Sequence, residues 1–407
     1  MIDRLRSNVF WNSVGTLFYC GCQWLLTVLV VYFKGGYTDA GVLSLAMSIS
    51  NVLGIVASLN LRTFQVSELE GRFSDGDFLI NRVLASMIAL ALCICVVTYR
   101  GYGGFERLCI CLFMVFKISE ALADVLHGID QKAWRLDIAG KSFIMRGFST
   151  LIAMVSGIFF GGSLIITIIL MAFFAHLIIF FYDYKQCKRL CCPQFCFNRS
   201  NILELVKIGV PLALYAILLN LISIYPRFQI EEQYGKELLG VFSSISTPTV
   251  LVTQLASFIF SPLMGVFAEH RKKHDAKRIN QLLLMLIGTT SFIGMAAVVM
   301  GKWLGEWVLV VLFGESIREY VYLLIPIIFS AILTALIWLL SGLLTVFKDY
   351  YMVAVLTAVS LSFCVIIAPK LVAERQLIGT AWTLLSALAL ETILLLIRLV
   401  QLLKQYR

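Results

Sequence analysis

The chain is expected to be an all-α polytopic membrane protein, with twelve transmembrane helices in two pseudo-symmetric six-helix lobes around a central cavity. Three observations carry that expectation. Hydrophobic residues fill 60% of the 407 positions, only 14% are charged, and mean hydropathy is +0.91, the composition of a chain whose main solvent is lipid. Apolar runs of the roughly 20 residues that a bilayer core demands recur along the whole length. Finally, a short motif in the first half returns in the second.

The runs place spans near 8–33, 39–62, 79–99, 107–128, 142–161, 163–184, 207–225, 238–265, 281–300, 321–346, 352–369 and 377–398. The first is longer than a signal-peptide core of roughly 7 to 15 residues and no small-x-small cleavage site follows, so it is expected to remain as a span. WLGEWVLVVLFG at 303–314 is too short to span, and its two tryptophans suit a helix lying in the outer interface. The expected organisation is a lobe over 1–185, a cytoplasmic linker over 186–206 and a second lobe over 207–407.

Orientation follows from basic residues. With both termini inside, 23 of the 33 Lys and Arg fall on cytoplasmic segments and 9 on outer ones, and Lys117 alone lies mid-span. The positive-inside rule therefore assigns the N- and C-termini to the cytoplasm. The net charge of +9 arises from the same asymmetry and implies no nucleic-acid partner. Its densest block, 269–278, is expected at the inner surface beside anionic lipid.

GYTDAGVLSLAMSIS from Gly36 and GKELLGVFSSISTPT from Gly235 share G-x4-G-V-x-S, and the offset of 199 sets Ser58 opposite Ser257. The matches fall at the entries to spans two and eight, as a duplication of six spans requires. Internal repeats are common in secondary transporters, with the substrate path between the halves.

Polar stripes mark the helices suited to line such a path. Asn8, Asn12, Thr16 and Gln23 share a face of span one; Ser44, Ser48, Asn51, Ser58 and Arg62 share one of span two. Span eight carries Ser246, Thr249, Thr253, Ser257 and Ser261, with Pro248 and Pro262 able to bend it. For Ser and Thr, helix packing explains the stripe as well as a pathway does. For Asn12, Gln23, Asn51 and Arg62, a hydrated cavity is the expectation.

Span four holds KISEALADVLHG, 117–128. Lys117, Glu120, Asp124 and His127 lie on one helical face at a depth where ionisable groups are costly and mark function. Glu120 and Asp124, four residues apart, would titrate as a unit if they repel one another, and one would then carry a proton as the coupling group. The alternative is lasting pairing with Lys117 and Arg146.

Of eleven cysteines, seven lie within spans and act as small apolar residues. Cys187, Cys191, Cys192 and Cys196 form C-x3-C-C-x3-C in a loop expected to be cytoplasmic, where thiols stay reduced; the spacing does not suit zinc. No Gly-rich phosphate loop, G-x-S-x-G or H-E-x-x-H is present, and no cofactor or enzyme activity is expected.

Ala123-Asp124-Val125-Leu126-His127-Gly128, followed by Gln131, Arg135, Asp137, Ser142 and Arg146-Gly147, resembles the S-D-x-x-x-G-x-x-Q-x-x-x-R-x-D pattern of bacterial polysaccharide biosynthesis flippases. Alanine at 123 replaces the usual small hydroxyl. Pro226-Arg227-Phe228, then Gly235 and Leu239-Gly240-Val241-Phe242, is similar to that family's P-R-Y…G…L-G-I-F run. Asn60-Leu61-Arg62 is similar to its G-L-R, with asparagine for glycine. The resemblance implies a member of the multidrug/oligosaccharidyl-lipid/polysaccharide exporter superfamily, with a cavity lined by spans one, two, seven and eight. It further implies movement of an undecaprenyl-pyrophosphate-linked oligosaccharide across the bacterial cytoplasmic membrane, for O-antigen or capsule-like polymers made by polysaccharide polymerase machinery. A pyrophosphate needs cations to cross, and Arg62, Arg82, Lys117, Arg146 and Arg227 are the basic residues nearest the expected lobe interface. The competing readings are a multidrug extruder, which calls for an acidic cavity, and a glycan polymerase, which calls for a sizeable outer loop.

Overall fold

Inside lipid a backbone has no water to bond, and a helix satisfies its N–H and C=O groups within one segment. In the computed structural model, residues 2–33, 35–67, 72–190, 198–249, 253, 267, 270, 276–347 and 349–405 are described, and all regular structure among them is helical. The chain forms two compact units, Met1–Ile217 and Leu218–Arg407.

The first unit contains α1 (Ile2–Leu29), α2 (Tyr37–Ser58), the short α3 (Arg62–Ser67), α4 (Asp75–Tyr99), α5 (Gly104–Lys132), α6 (Leu136–Phe159), α7 (Leu164–Ile178) and α8 (Tyr184–Leu190). It also takes the N-terminal half of α9 (Arg199–Tyr234). The second contains the rest of α9 with α10 (Lys236–Ser246), α11 (Ala276–Phe313), α12 (Leu324–Val346) and α13 (Tyr350–Gln405).

Among the described residues nine helical segments are long and apolar enough to span. Although α5 is not among these, it runs for 29 residues and bears the charged face. Within α13, Gln376 has φ 52 and ψ −131, which breaks it into the two helices expected at 352–369 and 377–398. The expected eighth span, 238–265, is described continuously only to Thr249, so Ser257, Ser261 and Pro262 lie outside the described residues. So do Cys191, Cys192, Cys196, Glu269 and residues 271–275 of the basic block.

Three boundaries differ from expectation. Span two ends at Ser58, and Arg62 opens a separate helix. WLGEWVLVVLFG is the continuation of α11 rather than a separate interfacial helix. Lys302 interrupts the apolar run there without breaking the helix, because a long lysine stem keeps its charge toward water, and Gly301 packs tightly on Ile328. Pro226-Arg227-Phe228 lies within α9 rather than after it; at 36 residues α9 extends well beyond a core of about 30 Å.

In the first unit α1 packs along α6. A Cβ at Gly15 would collide with the Gly140 carbonyl, and one at Gly140 with the Trp11 carbonyl, so two glycines permit backbone contact. The helices α2, α4 and α5 pack against one another. The start of α4 is closed by a reciprocal cap: Ser74 Oγ accepts from Asp77 N–H at 3.1 Å and Asp77 Oδ2 accepts from Ser74 N–H at 2.9 Å. Farther along, Met87, Ile88 and Ile94 are exposed, as a lipid-facing surface requires. The repeated motif has a structural counterpart: Gly36 (φ 55) and Gly235 (φ 86) each precede a helix, α2 and α10, in conformations that favour glycine.

Candidate functional site

The charged face of α5 points into a cavity of about 390 Å³ within the first unit. Its walls include Tyr19 of α1, Asn51 and Ser58 of α2, Arg62, then Lys117, Glu120, Asp124 and His127 of α5, and Arg146 of α6. Successive turns of α5 hold three ionic groupings.

In the first, Lys117 Nζ pairs with Glu120 Oε2 while the Tyr19 hydroxyl donates to Glu120 Oε1. Both charged side chains keep about a quarter of their surface accessible, 22% and 26%.

Asp124 forms the second by bridging two arginines. Arg62 Nη1 donates to Oδ1 and Arg82 Nη2 to Oδ2, each at 3.1 Å. Arg62 also donates to Gln131 Oε1 at 3.2 Å. The turn after α2 makes this reach possible: Leu59 (φ 45) and Asn60 (φ 52) are both left-handed, reversing the chain just before Arg62. Asparagine tolerates that conformation, whereas for leucine it is uncommon and must be held by its surroundings. Leu59 N–H donates to Ile55 O at 2.8 Å, and its side chain lies against Gly209.

The third grouping is fully buried. Arg146 Nη2 donates to Asp183 Oδ2 at 3.3 Å, and His127 Nε2 lies 3.5 Å from Asp183 Oδ1. Arg146 also reaches Ser142 Oγ at 3.4 Å and Ser119 Oγ at 3.5 Å. The His127 ring meets Phe143 edge-on at 5.1 Å. Asp183 closes a single widened π turn, Ile179–Asp183, between α7 and α8; such turns re-aim side chains and recur at functional sites.

Each acid of the expected coupling pair therefore has its own basic partners. Glu120 pairs with Lys117 as anticipated, but Asp124 pairs with Arg62 and Arg82, while Arg146 is bound to Asp183. Each of the two carboxylates therefore faces its own cations, which offset their mutual repulsion.

Of the other expected site residues, Arg62, Lys117, Arg146 and Asn51 reach the cavity wall. Arg82 lies buried behind Asp124. Gln23 turns to the α1–α6 seam instead of a hydrated path, its Nε2 donating to Thr150 Oγ1 at 3.3 Å, and the Asn12 backbone abuts Gly140 at the same seam. Asn8 on the same stripe bonds the turn before α6, donating to Trp134 O at 2.6 Å and accepting from Asp137 N–H at 3.3 Å. Close helix contact desolvates that seam, and the amides of Asn8 and Gln23 find partners across it. Arg227 belongs to the second unit, where its buried Nε has no hydrogen-bond partner among the described residues.

Sequence reasoning missed Tyr19, Ser119 and Asp183, and placed Gln131 only within the family motif. Tyr19 carried a signal, lying between Thr16 and Gln23 on the span-one stripe. Asp183 carried none, because an acid at the end of an apolar run reads as an interfacial residue and its partners are on other helices.

A family model described as "Polysaccharide biosynthesis protein" matches residues 38–322, well over half of the chain. The chain belongs to this family. It is a multi-pass membrane protein with an all-helical fold. It is 25% identical over 391 residues to the capsular polysaccharide biosynthesis protein CapF of Staphylococcus aureus, covering 93% of this chain and 94% of that one. Among solved structures, the lipid II flippase MurJ in an inward closed conformation has a TM-score of 0.76 at 13% identity, over 95% of this chain and 87% of that one. The Vibrio cholerae MATE transporter VcmN in its bent form has a TM-score of 0.64 at 11% identity, over 99% and 97%. These two similarities establish the fold.

Proposed function

We propose that this transporter is a flippase that moves an undecaprenyl-pyrophosphate-linked oligosaccharide across the bacterial cytoplasmic membrane by alternating access, for surface polysaccharide biosynthesis. The observation that carries the reading is the coincidence of a polysaccharide-biosynthesis family match over 38–322 with a cavity walled by Arg62, Lys117 and Arg146.

The diphosphate is the part of such a substrate that cannot enter lipid unaided, whereas the prenyl chain is at home there. Arg62 and Lys117 are the cations that keep accessible surface, 30% and 22%, and they are its direct ligands. Arginine supplies a planar fork for two oxygens and lysine a point charge. Asp124 and Glu120 act as internal counter-anions, which the incoming phosphates displace. Arg82, buried, holds Asp124 in place from behind, and Arg146 on the cavity wall is a further cation for the headgroup. Asn51 offers an amide to sugar hydroxyls, and Arg227 is a further cation that the substrate meets along its path. Asn12 and Gln23 support the α1–α6 seam. The termini are cytoplasmic and the released substrate feeds the polymerase machinery, which keeps the reaction moving outward.

The deciding experiment is the lipid fraction of a host lacking this protein. One undecaprenyl-linked oligosaccharide accumulating in the cytoplasmic leaflet, with surface polymer lost, is the expected result; normal polymer and no accumulated intermediate would overturn the reading. Reporter fusions test the orientation: Gly103 and Gly162 should report outside and Asp275 inside.

A further inference from the structure

One turn beyond His127 on α5, Asp130 is completely buried, and neither of its carboxylate oxygens has a hydrogen-bond partner among the described residues. This contrasts with Glu120 and Asp124, whose oxygens are bonded to cations and a phenol. An ionised carboxylate without partner or solvent is among the most costly groups a protein can bury, and protonation removes the charge.

The described surroundings of Asp130 supply no uncommitted cation to offset it. From α6 and the turn before it, Asp137 and Arg135 face it; from the π turn, Asp183 and Tyr182; from α3, Arg62. Arg135 is committed to Asp137, donating at 2.8 and 3.1 Å. Arg62 is held by Asp124 and Gln131, and Arg146 by Asp183. Lys132 and Lys141 lie 3.8 and 3.7 Å from Asp75 and Asp137. Each of these bases therefore already has another acid, and the groups left nearest Asp130 are acids themselves. Asp183 connects this pocket to the cavity, because its own partners, Arg146 and His127, both stand on the cavity wall.

We propose that Asp130, with Asp183 and His127 as its link to the cavity, is a proton-binding site whose occupancy is coupled to binding of an anionic headgroup at Arg146. The step is the addition of one proton to the Asp130 carboxylate, giving a carboxylic acid; no other bond changes. When an anion draws Arg146 away from Asp183, that acid loses its counter-cation. Asp130, on which the charge of Asp183 acts, then retains its proton more tightly, since carboxylates that repel one another out of water do not both stay charged. By linkage, a bound proton equally favours the anion. The site lies at the end of α5 that the charge bias assigns to the cytoplasm, where a proton is taken up in one access state; it is released to the other side with the headgroup in the other state, so a pH gradient acts on the distribution.

This inference rests on the transport reading above for its purpose but not for its first test. Infrared titration of the full chain in liposomes should show a carboxylic-acid carbonyl band at neutral pH, where an ordinary aspartate is ionised. Asp130→Asn should remove that band and Asp130→Glu should shift it. A wild-type spectrum with no Asp130-dependent band overturns the site, whatever the substrate. The second test imposes a pH gradient on liposomes loaded with undecaprenyl-pyrophosphate-linked oligosaccharide. The wild-type transbilayer distribution should respond by up to about tenfold per pH unit for one linked proton, and Asp130→Asn, with the neutral shape of the protonated acid, should move substrate with no such response. An Asp130→Asn protein that responds like wild type overturns the coupling. If the wild type moves no lipid-linked oligosaccharide at all, the transport reading fails and with it the coupling, while the infrared band still decides the proton site.

Discussion

The two units treat buried charge differently. In the first, the charged groups on the cavity wall pair across helices: Tyr19, Glu120 and Lys117; Arg62, Asp124 and Arg82; Arg146 and Asp183, with His127 Nε2 3.5 Å from Asp183 Oδ1. In the second, Glu391 of α13 is fully buried and accepts from Thr357 Oγ1 at 2.8 Å, while its Oε2 has no partner among the described residues. Arg227 Nε is likewise unpartnered there. A linked set keeps its charges ionised in low dielectric, because each member stabilises the charge of the next. A solitary group has no such support, so removing it strands nothing. Substitutions should therefore be expensive at the paired groups of the first unit's cavity wall and tolerated at Glu391 and Arg227 of the second.

The sharpest test of that contrast is the buried Arg146–Asp183 pair. Arg146→Met alone should destabilise the protein by about 3–5 kcal/mol, because it strands Asp183, and the double change with Asp183→Leu should recover most of the loss. Thermal unfolding in detergent measures both. A single variant as stable as wild type would break the comparison at its strongest point.

Next is Lys117 with Glu120. These side chains are partly accessible, so water compensates in part and each single alanine variant should cost about 1–3 kcal/mol. Lys117→Ala with Glu120→Ala should restore extracted protein yield but not surface polymer, if Lys117 offers its charge to the crossing diphosphate. Normal export by the double variant would mean that this pair only holds the bundle together.

Smaller stability effects are expected in the second unit. Arg227→Ala should change unfolding by less than about 1 kcal/mol, as no bonded acid is stranded, while polymer export falls; Arg227→Lys should keep part of it. Loss of folded protein in both variants would instead give Arg227 a structural role. The smallest effect is assigned to Glu391→Gln, which retains an oxygen to accept from Thr357 and should shift stability by well under about 1 kcal/mol. A large loss there would show that Glu391 belongs to a network like those of the first unit.

Periodicity and composition were sufficient for the helical class, for most spans and for the charged face of α5, since hydropathy and a 3.6-residue repeat are properties of one segment read alone. The same information located Arg62, Lys117, Glu120, Asp124 and His127 as chemically unusual residues, and the family resemblance added Arg146. It also singled out Gly36 and Gly235, both of which prove to sit at helix entries with positive φ. Where a helix stops was less legible: α11 runs through Lys302 and α9 through Pro226, because neighbours decide whether a polar or kinking residue ends a helix.

Pairing was decided by tertiary structure alone. Nothing in the spacing of Asp124 shows that Arg62 and Arg82 share it, or that Asp183, carried in by a π turn, takes Arg146. The stripe of Asn12 and Gln23 has the same period whether it meets water or a helix, and only the glycine-to-glycine approach of α1 and α6 settles which. Asp130 is the clearest case. In sequence it is one more acid near a helix end; in the fold it is the one whose neighbours have spent their cations elsewhere. Hydropathy is additive along a chain and so is written in it residue by residue, whereas electrostatic partnership depends on distances across helices, which exist only once the chain has packed.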